Sequence, residues 1–148
     1  MSKGGLHSWR RLIEADVRER KLQLARARAL VARSEQLEAT LRAERTRRDE
    51  QERRDRAAGE LPGFARERMA TLLEGAIERA AEKAEKARLQ EARTQDALRE
   101  AFRRVRAVER VIERRESRAH EAGLRGEQKE LDEIAARLPG ATVQEIGR

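Results

Sequence analysis

Apolar and small residues recur along this chain at alternating intervals of three and four. The first series runs Leu6, Ile13, Val17, Leu24, Ala27, Val31, Ser34, Leu37 and Leu41. A second runs Met69, Leu73, Ala76, Ala80, Ala84 and Ala87, then Leu98, Ala101, Val105, Val108 and Ile112. Spacing held over that many turns is the heptad signature of packed long helices. Between the series lies AAGELPGF, Ala57 to Phe64, where Gly59, Pro62 and Gly63 cluster as helix breakers. The pattern predicts one domain, 1–148, with helix 1 over about 6–57, a turn at 58–63, helix 2 over about 64–138 and a flexible tail at 139–148.

A second helix joined to the first by so short a turn must run back beside it. The predicted class is all-α, a long antiparallel two-helix coiled-coil hairpin. Pairing positions whose numbers sum to about 121 sets Ile13 against Val108, Val17 against Val105, Leu24 against Leu98 and Leu41 against Ala80. Ile13, Val17, Leu24, Leu98, Val105 and Val108 are the expected hairpin core. Glu91 and Thr94 fall in the seam of the second helix and thin its packing.

The helices are unequal, about 75 Å and about 110 Å at 1.5 Å per residue. The first is spent near Arg115, so the segment from about Arg118 overhangs. Gly123 and Gly126 weaken the helix there. The apolar phase also moves, from Ala119 and Ala122 to Leu124, Leu131, Ile134 and Leu138. A new stripe in a new phase implies a new neighbour, expected in another molecule.

Composition changes the picture by exclusion. Charged residues make up 43% of the 148 and aromatics 2%, too narrow an apolar supply for an ordinary globule of this length. The periodicity argues against the disorder that such charge otherwise suggests. The net charge of +7 comes from 35 basic residues interspersed with 28 acidic ones, the usage of a solvated helix surface rather than a segregated nucleic-acid face. Zero cysteines remove disulfides, thiolate metal sites and cysteine catalysis. No run approaches a membrane span and MSKGGLHSWRR lacks the apolar core of a signal peptide, so a cytosolic protein is expected.

Catalytic chemistry is not legible. There is no glycine-rich phosphate loop with its lysine. His7 and His120 read as solvated surface histidines rather than a shared metal site, and Glu130, Asp132 and Glu133 sit on an exposed helix with no pocket to shift them. Neither enzyme activity nor a cofactor nor a metal is expected. Trp9 reads first as a hydrophobic plug at the terminal end.

The segment EQKELDEIAARL, Glu127 to Leu138, resembles the closing motif of the FliJ family, stalk proteins of the flagellar type III export apparatus. Glu127, Gln128, Lys129, Asp132, Glu133, Ala135 and Arg137 carry the likeness. The opening helix is similar too, with the Leu-x-Glu-x-x-Val rhythm of Leu12, Glu14 and Val17. The resemblance implies a non-catalytic stalk that binds a hexameric export ATPase at its central channel, through Gln128, Lys129, Asp132, Glu133 and Arg137. It implies a link to the membrane export gate, with Met69, Leu73, Ala76 and Ala80 as candidate contacts, although that stripe reads first as packing on the first helix. It further implies help in cycling export chaperones and a peripheral place at the cytoplasmic face of the inner membrane. The injectisome stalk has the same shape, and a basic coiled-coil scaffold or nucleic-acid binder would share the patterning. Steep salt dependence of DNA affinity would mark the last of these.

Overall fold

A computed structural model describes residues 2–138. It consists of two helices, α1 (Lys3–Ala57) and α2 (Phe64–Arg137), with no strand among the described residues. The all-α hairpin read from the apolar pattern is the fold the chain adopts. The residues of the tail 139–148 lie outside the described residues.

Local chemistry sets the ends of each helix. Ser2 caps α1: its Oγ accepts the Gly5 N–H at 3.2 Å and its carbonyl accepts the Leu6 N–H at 3.2 Å. That cap starts the helix despite the weak propensity of Gly4 and Gly5. At the other end Gly59 takes φ of 84°, a left-handed conformation that costs a side chain but not a glycine. Its N–H donates to the Arg56 carbonyl at 3.0 Å and the Glu60 N–H to the Asp55 carbonyl at 2.8 Å, the paired bonds of a Schellman stop. Gly63 opens α2, its carbonyl accepting the Arg66 and Glu67 N–H groups at 3.0 and 3.2 Å. Glu67 adds a negative charge to the first turn, where the helix dipole favours it.

Two compact units can be distinguished, Leu12–Arg103 and the combination of Met1–Arg11 with Arg104–Arg148. In the first, Val17, Leu24 and Ala27 of α1 are buried with Ile77, Ala80, Ala84, Ala87 and Ala101 of α2. Ile13, Val31, Ser34, Leu41, Leu73, Glu91 and Leu98 are half-buried around them. Thr94 is buried and donates its hydroxyl to the Gln90 carbonyl at 2.8 Å, so its polar atom is satisfied within its own helix. In the second unit Leu6, Val108 and Ile112 are buried and Val105 half-buried.

Cross-helix pairs fix direction and register. In the first unit Arg28 meets Glu91 at 3.7 Å, Glu35 meets Arg88 at 3.0 Å and Arg45 meets Glu74 at 3.0 Å. Asp55 pairs with Arg66 across the turn, and the Lys21 ammonium lies 5.4 Å from the Phe102 ring centroid. The numbers in these pairs sum to 119–123, which only antiparallel strands of helix can maintain. In the second unit Arg10 stands 3.9 Å from Glu109.

Two positions of the apolar stripe and one outside it correct the sequence reading. Leu37 is 49% exposed, and its neighbour Glu38 turns inward instead, its carboxylate tied to Arg42 at 3.0 Å. Met69 is 44% exposed because the seam of α2 takes hold only from Leu73. Ile77, absent from the stripe read in the sequence, is buried to 3% exposure. Ala76 satisfies the same spacing as Ile77 within one residue, and the larger side chain wins the interior because it removes more apolar surface from water.

Candidate functional site: the C-terminal end of α2

The second unit's packing finishes at a cleft lined by Leu6, His7, Ile112, Arg115, Glu116 and Ala119. Beyond it every residue from 117 to 134 is exposed. The helix nevertheless continues through Gly123 and Gly126 to Arg137. Glycine lowers helix propensity there by about 1 kcal/mol each, but neither position requires a left-handed backbone. Pairs at i, i+4 offset the loss: Arg125 to Glu121 at 3.6 Å, and the Gln128 amide donating to Asp132 at 2.9 Å.

Helical geometry sorts this segment into faces. Leu124, Leu131, Ile134 and Leu138 follow one stripe and are 51%, 61%, 57% and 54% exposed. Gln128 and Asp132, one turn apart and hydrogen-bonded, form a row beside that stripe. Lys129 and Glu133 fall on the opposite face, and Arg137, three residues after Ile134, flanks the stripe on its other side. The five polar residues of the motif are therefore brought onto the sides and back of one helix, with the apolar stripe in front. Large apolar side chains left in water along a single helix face have the pattern of a surface that another molecule covers.

The candidate gate stripe is placed differently. Ala80 is buried in the seam, Leu73 and Ala76 are half-buried, and Met69 alone of the four is exposed. Leu61 and Phe64, 89% and 79% exposed, and Leu72 add apolar surface around the turn that the spacing argument did not single out. Phe64, Glu67, Arg68, Thr71 and Leu72 line a shallow depression on α2. The signal for it was available: Phe64 is one of two phenylalanines in the chain and directly follows the helix breaker.

Among the described residues, no group of three or more His, Asp or Glu side chains could hold a metal ion, and no helix is long and apolar enough to cross a membrane. Two helices joined by a tight turn, with an exposed apolar end, define a protein–protein interaction element of the coiled-coil class. The model of the FliJ family, described as Flagellar FliJ protein, matches residues 3–142, and the chain belongs to that family. No curated protein and no solved structure matches it. Membership makes the chain a component of flagellar protein export, associated with the export apparatus.

Proposed function

We propose that this chain is the stalk of the flagellar type III export apparatus, binding the hexameric export ATPase at its central channel through the C-terminal end of α2. Gln128, Lys129, Asp132, Glu133 and Arg137 meet the channel lining, and the stripe Leu124, Leu131, Ile134 and Leu138 packs on the ATPase. The observation that carries this reading is the unbroken exposure of residues 117–134 with that stripe uncovered. The turn-proximal part of α2 links the ring to the membrane export gate, Met69 supplying the exposed surface among Met69, Leu73, Ala76 and Ala80. Cycling of empty export chaperones belongs to the same role, as does a peripheral position at the cytoplasmic face of the inner membrane.

Such a stalk acts through binding alone. Asymmetric contacts bias the conformations of the ring, and the effect is a coupling free energy between sites rather than a chemical step. The decisive experiment adds the purified protein to its cognate export ATPase and follows hydrolysis and hexamer formation. Both should rise, and truncation after Arg125 should abolish the rise while the hairpin remains folded. An unchanged rate and oligomer distribution at saturating protein would end the proposal.

A further inference from the structure

Beyond the cleft at Ala119, α2 continues with a seam of its own. Its positions run Leu124, Glu127, Leu131, Ile134 and Leu138, at intervals of three, four, three and four, the spacing of a two-helix contact. Every one of them is exposed. Glu127 is the single charge in that row. Glu130 and Arg137, each one residue before a leucine of the seam, flank it on one side, as Gln128 and Ala135 flank it on the other. Glu130 and Arg137 are exposed, and neither enters an ion pair among the described residues. Seven residues apart, they are too distant to pair with each other along one helix.

We propose that a second copy of this chain covers the seam, the two ends of α2 lying antiparallel so that Leu131 of each copy packs against Ile134 of the other. In that register Leu138 of each copy stands opposite Glu127 of the other at the edges of the contact, and Glu130 of each meets Arg137 of the other. A two-fold axis repeats every contact, so both carboxylates and both guanidinium groups are paired at once. A parallel arrangement would stack Glu127 on Glu127 inside the seam and set Glu130 beside Ala135, gaining a repulsion and losing both pairs. An anionic lipid surface or a nucleic acid is disfavoured as the occupant by Glu121, Glu127, Glu130, Asp132 and Glu133. All the residues of the contact lie in one run of chain, 127–138, so the match depends on helical geometry alone. The stalk reading gives the same stripe to the ATPase, and the regulatory consequence rests on that reading: the dimer is a closed form that must open before the ring can bind.

Sedimentation equilibrium on the full-length protein alone tests the dimer, and with no ATPase present its failure leaves the stalk reading standing. So short a seam buries well under about 1,200 Å², so a dissociation constant of about 10–100 μM is expected. Glu130→Arg and Arg137→Glu should each weaken it at least about tenfold, because each change sets like charges face to face twice. The double change, Glu130→Arg with Arg137→Glu, should restore it, as should an equimolar mixture of the two single variants. Leu131→Asp should abolish it with the helical circular dichroism unchanged. The chain has no cysteine of its own, so disulfides read the orientation. A copy with Glu127→Cys should link to a copy with Leu138→Cys and not to its own kind. A wild type that stays monomeric at about 200 μM overturns the proposal. So does a double change that fails to restore association, or a disulfide between two copies carrying Glu127→Cys.

Discussion

The two ends of this molecule are stabilised in opposite ways. Around the turn, α1 and α2 are fastened by the polar links Arg45 to Glu74 and Asp55 to Arg66, and within α1 Glu44 is held by both Arg47 and Arg48 at 2.6 and 2.9 Å. At the far end of α2 the links are all within one helix, and large apolar side chains stand in water. The polar links of the first are saturated, and what stays uncovered beside them is the apolar patch of Leu61, Phe64, Met69 and Leu72 rather than its charges. The second is unsaturated, and covering its stripe would release apolar surface worth about 25 cal/mol per Å². Exposure in a marginally stable hairpin therefore identifies a binding end better than charge does.

The contrast breaks most visibly under truncation of side chains. Leu24→Ala, in the packed seam, should cost about 2–4 kcal/mol, while Leu131→Ala should leave stability within about 0.5 kcal/mol. Urea titrations followed by circular dichroism read both. A comparable loss at Leu131 would mean that the far end is packed after all.

Next in size is the effect of charge on binding. Asp132→Lys with Glu133→Lys should weaken ATPase association about tenfold, or about 1.4 kcal/mol, with helicity unchanged. Equal affinity in a titration against the ATPase would reduce the polar rows of the motif to solvated surface. At the turn, Gly59→Ala should cost about 1 kcal/mol, because alanine is forced into the left-handed region that Gly59 occupies at 84°. A neutral result by thermal melting would show that the Schellman stop contributes nothing.

The smallest effect concerns acid. The hydrogen bond from Arg47, followed by that from Arg48, holds the Glu44 carboxyl down at about 2 against an ordinary 4.5. Gln51 and then Arg66 lower Asp55 in the same direction. A carboxyl with a lowered value in the folded state binds its proton more readily when unfolded, so its contribution is complete above about pH 4.5 and drains away as pH falls toward 2. Both groups are half-buried at the edge of the helix pair, where solvent still screens them, so the expected change is a local fraying. Carbon chemical shifts of residues 44–66 should lose helical character across that window. Shifts that stay constant down to pH 2 would show that these links do not hold the turn end together.

Much of this was legible in the sequence because coiled-coil packing writes itself as period. Val17, Leu24, Ala27, Ala80, Ala84, Ala87, Ala101, Val108 and Ile112 follow from spacing alone, and all are buried. Errors arose where two adjacent residues satisfied the period almost equally. Leu37 against Glu38 and Ala76 against Ile77 differ by a 100° rotation, which supercoiling and the opposite helix decide rather than the local run. The end of α2 was legible as an overhang, since helix lengths are additive. What its residues contact was not, because the chemistry of a docking face is completed by its partner. The turn patch around Phe64 and Leu72 went unread because a stripe argument seeks residues that share the seam, and these point away from it.

Thr94 has a further consequence. Its only hydrogen bond stays within α2, and the neighbouring seam positions Ala80, Ala84 and Ala87 present similar small surfaces one after another. Among the described residues no buried polar group reaches across to name a unique opposite number, as a core asparagine does in coiled coils that lock their alignment. A slide of one heptad would exchange one small methyl for the next along that stretch. The penalty would fall chiefly on the exposed clasps between Arg28 and Glu91 and between Glu35 and Arg88. Alignment in the middle of the hairpin is thus remembered by its surface and not by its interior, and dissolved ions can erase it.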